Sequence, residues 1–117
     1  MNGVSMSTIT EPEIALIHRY VCEGISDPKR LQLLYLVADR SQNVTELTQA
    51  LDIAQPTVSH HLRILRERGL VEAERKGTSV YYSLRDPRVI EAIEMMRGMV
   101  ADLLRERADI LNVDTST

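Results

Sequence analysis

Two helical segments stand only three residues apart in this sequence, and a stretch of alternating polarity follows the second at once. Asn43-Val44-Thr45-Glu46 has the spacing of a capping box, Asn43 capping and Glu46 reaching back. It predicts a short helix that turns Val44, Leu47 and Leu51 inward and ends near Asp52. Gln55-Pro56 restarts a helix, and Gly69 is placed to end it in the left-handed conformation that glycine adopts without strain. So short a link makes the two helices cross at a tight turn. Val71-Glu72-Ala73-Glu74-Arg75 and Ser79-Val80-Tyr81-Tyr82-Ser83-Leu84 then read as strands joined by Lys76-Gly77-Thr78, a β-hairpin.

The flanks are helical. Ile14, Ile17 and Val21 share a face of a first helix that begins at Pro12 and runs to about Glu23, with Gly24 as its stop. Asp27-Pro28, a cap followed by a first-turn proline, opens a second helix with Leu31, Leu34 and Val37 on one stripe. Asp86-Pro87 caps a long last helix in which Val89, Ile93, Met96, Val100 and Leu103 recur at spacings of 4, 3, 4 and 3, a narrow seam for another helix. The expected fold is mainly α with a small β-hairpin (α+β), a winged helix-turn-helix. Its single domain spans 12–111, between flexible tails at 1–11 and 112–117.

Composition excludes several alternatives. A chain of 117 residues holds one small core, and its longest apolar run, Leu33 to Ala38, is too short to span a bilayer, so no membrane partner is expected. The first residues have neither a basic stretch nor an apolar block of signal-peptide length, and Cys22 is the lone cysteine; both suit a cytoplasmic protein. Phe and Trp are absent, which removes the usual stacking platforms for single-stranded nucleic acid. The net charge of −3 is unevenly spread: residues 55–85 carry 6 basic against 3 acidic side chains. A local basic stretch on an acidic body is an electrostatic footprint for double-stranded DNA.

The segment from Gln55 to Gly69 carries that footprint. On a 100° wheel Val58, His61, Leu62 and Leu65 fall on one side, and Gln55, Ser59, His60 and Arg63 lie across from them. Gln pairs with two edge atoms of adenine and Arg with the two acceptors of guanine, while Ser or His reaches a base or a phosphate. Thr57 sits in the first turn of the same helix, and Arg75 and Lys76 at the hairpin tip are placed for phosphate. Ser59-His60-His61 is no nucleophile and base: adjacent helical residues diverge by about 100°, and no acid or oxyanion donor accompanies them. No catalytic site and no cofactor are expected.

Asp27-Pro28-Lys29-Arg30-Leu31, the run from Gln55 to Leu65, Gly69-Leu70-Val71 and the run from Gly77 to Leu84 together resemble the ArsR/SmtB family of metal- and stress-responsive bacterial repressors, over about residues 13–105. The resemblance implies a homodimer built on the first and last helices, binding an inverted repeat near promoters and released by an inducer. It places Gln55, Ser59, His60 and Arg63 at the DNA-reading positions. Ala54 departs from the family, which often has a capping serine there.

The family's metal sites do not carry over. The stretch Asn43 to Leu47 has no thiol where a cysteine pair would stand, and a second site falls on Asp86, Arg88, Met99 and Asp102, whose arginine repels zinc. No metal site is therefore expected. His18 and Cys22, four residues apart, supply two ligands at most, and the residue types favour a buried, apolar-like Cys22 beside a surface His18. Two other readings stay open: a thiol-based redox- or sulfide-responsive repressor acting through Cys22, and a winged-helix module that binds protein instead of DNA.

Overall fold

The computed structural model describes residues 8–115, so residues 1–7 and 116–117 of the expected tails lie outside the described residues. The order of elements is α1 (Glu11–Ile17), a π-helical turn (His18–Cys22), α2 (Glu23–Ile25), α3 (Pro28–Asp39), β1 (Gln42–Asn43), α4 (Val44–Leu51), α5 (Gln55–Glu67), β2 (Val71–Lys76), β3 (Ser79–Leu84) and α6 (Arg88–Thr115). The chain divides into two compact units between Asp86 and Pro87.

In the first unit the helix opens one residue earlier than Pro12. Thr10 and Glu13 form a capping box: Glu13 N–H donates to Thr10 Oγ1 at 3.3 Å, and Thr10 N–H donates to Glu13 Oε1 at 3.0 Å. Gly24 does not stop the helix, which continues to Ile25. Gly24 is buried, and a Cβ there would lie 2.6 Å from Leu70 Cδ1, so the missing side chain permits close packing. Ile14 and Ile17, which share one face of this helix, are 49% and 48% exposed.

Asp27 caps α3, its carboxylate accepting from Lys29 N–H at 2.8 Å. The buried residues of α3 are Leu33, Leu34 and Val37, and Leu31 is only half-buried. Leu33 is drawn into the core because neighbouring elements widen the buried stripe of α3 beyond a single row. Gln42 is buried and closes the end of α3, donating from Nε2 to Leu36 O at 2.6 Å. It also begins β1, which adds a strand to the expected hairpin. The sheet is antiparallel in the order β1-β3-β2, with Gln42 opposite Tyr82 and Val71 opposite Leu84.

Asn43 ends β1 and caps α4, with Glu46 N–H donating to Asn43 Oδ1 at 2.9 Å and Asn43 N–H donating to Glu46 Oε1 at 3.0 Å. Asp52, at φ 53°, turns the chain from α4 toward α5. At the far end of α5, Gly69 has φ 75°, Gly69 N–H donates to Arg66 O at 3.0 Å, and Leu70 N–H donates to Leu65 O at 2.9 Å. This pair of bonds is a Schellman motif, and Leu65 and Leu70, the positions at which such a motif places an apolar pair, are both buried. Strand β2 runs one residue past Arg75 to Lys76, which shortens the connection to Gly77-Thr78.

The second unit is α6, 28 residues long and helical beyond residue 111. Along it Met95, Met96, Met99, Val100, Leu103 and Leu104 are exposed. Among the described residues no helix is long and apolar enough to cross a membrane.

Candidate nucleic-acid interface

Helix α5 is seated by one face and open on the other. Val58, Leu62 and Leu65 are fully buried, and each contributes roughly 1.5–3 kcal/mol of burial to holding the helix on the body. Gln55, Thr57, Ser59, His60 and Arg63 are all exposed. Ala54 stands at the N-cap with no side-chain hydrogen bond; Pro56 lies in the first turn, where its missing N–H has no helical partner to lose. The exposed side chains include one contact: Arg63 Nη2 donates to His60 Nδ1 at 3.0 Å.

On the buried side His61 meets the elements beneath it. Arg30 Nη1 lies 3.3 Å from His61 Nδ1, and Asp27 Oδ1 is 4.0 Å from His61 Nε2. Arginine has no acceptor, so His61 Nδ1 accepts and the ring proton sits on Nε2, facing the carboxylate. Burial, more than the adjacent Arg30 and His60, pushes the imidazole below its ordinary value, against the opposing pull of Asp27. The Asp27 carboxyl is in turn held low, chiefly by its hydrogen bond from the Lys29 amide. Arg30 also donates from Nε to Gly24 O at 2.7 Å and from Nη2 to Glu23 O at 3.2 Å. One guanidinium thus joins the end of α2, the start of α3 and the inner face of α5. The bridging role of Arg30 was not legible in the Asp27-Pro28-Lys29-Arg30 run, because its partners are remote in the chain or backbone carbonyls.

At the hairpin tip Arg75 and Lys76 are exposed. Lys76 is already engaged, with Nζ 3.8 Å from Glu74 Oε1 and 5.4 Å from the centroid of the Tyr81 ring. Arg68, one of the basic side chains of residues 55–85, turns back on the first helix. Its Nη1 donates to Arg19 O at 3.0 Å, and Nη2 pairs with Glu23 at 3.3 Å.

His18 lies at the surface, as the sequence suggested, and Cys22 departs from its expected burial. Cys22 is exposed in the single chain and not buried. His18 Nδ1 lies 3.5 Å from Glu23 Oε2. These residues are five apart, the spacing that a π-helical turn stacks and an ordinary α-helix does not. Nothing in the apolar periodicity of this helix marked the widened turn.

A buried-faced α5 following α4 across a tight turn, with a three-stranded sheet whose β2–β3 hairpin carries cations at its tip, defines a winged helix-turn-helix DNA-binding protein. Residues 27–73 match the bacterial regulatory protein, arsR family. The chain is 39% identical over 77 residues to an HTH-type transcriptional regulator of Methanocaldococcus jannaschii, a match covering 65% of this chain and 86% of that protein. It is 40% identical over 83 residues to a transcriptional repressor SmtB homolog of Synechocystis, covering 71% of this chain and 60% of the relative's length. Among solved structures it resembles the homodimeric winged helix-turn-helix DNA-binding domain of a possible ArsR-family regulator from Mycobacterium bovis, with a TM-score of 0.71 and 27% identity over 86% of this chain and 95% of that one. The chain belongs to the ArsR family of bacterial transcriptional regulators, a family of DNA-binding proteins and not of enzymes.

Proposed function

We propose that the protein is a cytoplasmic repressor that binds an inverted-repeat operator as a homodimer, with one α5 in the major groove of each half-site. The observation that carries this reading is the division of α5 into a fully buried apolar face and an exposed face of Gln55, Ser59, His60 and Arg63. A winged-helix module that binds protein would present an apolar face on this helix instead. Arg75 is the phosphate contact of the wing, and Lys76, shared with Glu74, contributes less. Exposed apolar side chains on the first helix (Ile14, Leu16, Ile17) and on α6 (Met96, Val100, Leu103) support dimerisation through those two elements. Because Asn43 to Leu47 lack thiols and Arg88 stands among the other family ligand positions, the protein works without the family's metal sites.

Selection of binding sites from random duplex DNA, followed by sedimentation of the complex, tests the reading. The expected site is a two-fold symmetric sequence with half-sites about one helical turn apart, bound by two chains. Failure to enrich any sequence overturns it. The exposure of Cys22 favours a second reading, in which the thiol is chemically addressable and modulates the same activity. Release of the parent protein from its operator by peroxide or polysulfide, with Cys22→Ser retained, supports that reading; equal behaviour of the two proteins removes it.

A further inference from the structure

Among the polar residues on the outer face of α5, the contact between His60 and Arg63 divides their tasks. A guanidinium cannot accept a hydrogen bond, so the 3.0 Å contact from Arg63 Nη2 makes His60 Nδ1 the acceptor and puts the ring proton on Nε2. The two residues are three apart, neighbours on one helical face. His60 is itself backed by a fixed surface: its ring centroid is 5.7 Å from that of His61, at an interplanar angle of 51°. His61 is buried and held by Arg30 and faces Asp27. A chain of contacts thus runs from the core, through two imidazoles, to the end of the long Arg63 side chain.

We propose that His60 is a positioning residue, which aims the Arg63 guanidinium at a guanine instead of reading a base of its own. The proposal rests on the reading of α5 as the recognition helix. Arginine reads guanine through two parallel N–H groups, and a side chain held in place before contact loses less rotamer freedom on binding. The bond to His60 occupies one N–H of Nη2 and leaves four of the five guanidinium N–H groups available, enough for a fork. His60 Nε2–H remains as one further donor beside it.

The test measures base preference at every operator position for the parent, His60→Ala, His60→Gln, Arg63→Ala and the double alanine variant, on a selected duplex. Both residues are exposed, and a thermal melt of each variant is to be run alongside to check that it folds. Arg63→Ala is expected to flatten preference at one base pair by about tenfold or more. His60→Ala is expected to flatten the same base pair, with no further loss in the double variant, and His60→Gln, which keeps an acceptor oxygen, to restore part of it. In nitrogen NMR of the free protein, His60 is expected to show unprotonated Nδ1, and Arg63→Ala to shift its tautomer balance.

His60→Ala overturns the proposal if it changes a different base pair, or if it weakens all sequences alike with a smaller salt slope, the mark of a phosphate contact. If Arg63→Ala flattens one position and His60→Ala leaves it intact, only the positioning role fails. If Arg63→Ala changes no preference, the reading of α5 fails with it.

Discussion

Arg30 and His61 are 31 residues apart in the chain, and their side chains meet at 3.3 Å between Nη1 and Nδ1, on the buried side of α5. The contact requires a neutral imidazole, since a proton on Nδ1 would face the guanidinium. His61 is accordingly held below its ordinary value of 6.5, burial being the main cause. The unfolded chain therefore takes up a proton at His61 before the folded one does. Stability from this site is fully present above about pH 6.5 and declines as pH falls through that value, levelling off below the folded pKa. His61→Gln, whose Oε1 accepts from Arg30 without titrating, is expected to unfold in urea with a shallower loss of stability between pH 7 and 5 than the parent. Identical pH profiles would show that the site does not contribute.

Ala54 leaves the N-terminus of α5 without a side-chain cap, although its extended backbone at φ −61°, ψ 140° is that of a capping residue. Ala54→Ser is expected to stabilise the protein by about 1 kcal/mol in urea unfolding and to leave operator preference unchanged. A loss of stability would mean that the cap position is already satisfied in another way.

Two glycines are expected to respond in opposite directions. Gly24→Ala places a methyl 2.6 Å from Leu70 Cδ1 and should cost about 1–3 kcal/mol, whereas Gly98, in α6 with nothing within 4 Å of a built Cβ, should gain about 0.5–1 kcal/mol on becoming alanine. Chemical denaturation of both variants checks the signs.

The exposed apolar residues of α6 predict that Val100→Asp yields monomers or insoluble protein and abolishes operator binding. An intact dimer in sedimentation would place the interface elsewhere. The proposed loss of the family's metal sites predicts that zinc, cadmium or arsenite at modest excess leaves the protein on its operator, and release by metal in a mobility-shift assay would contradict that expectation.

Local signals carried much of this fold. The capping box of Asn43 and Glu46, the left-handed Gly69 and the inward set Val58, His61, Leu62 and Leu65 each depend on neighbours within a few residues, so periodicity and cap chemistry predicted them. Gly24, Gln42 and Arg68 were opaque for the opposite reason. Their roles depend on Leu70, on the carbonyl of Leu36 and strand β3, and on Arg19 and Glu23, contacts that tertiary packing creates. At the candidate interface the exposure of Gln55, Ser59, His60 and Arg63 follows from the helical wheel, while the contact between His60 and Arg63 depends on rotamers that no wheel specifies.

The central claim is that the outer face of α5 enters the major groove, and methylation interference tests it most directly. Dimethyl sulfate marks guanine N7 in the major groove and adenine N3 in the minor groove. The account predicts that duplexes methylated at guanine N7 within each half-site are depleted from the bound fraction, and that Arg63→Ala abolishes the depletion at one guanine per half-site. Interference confined to adenine N3, or no interference at all, would contradict it.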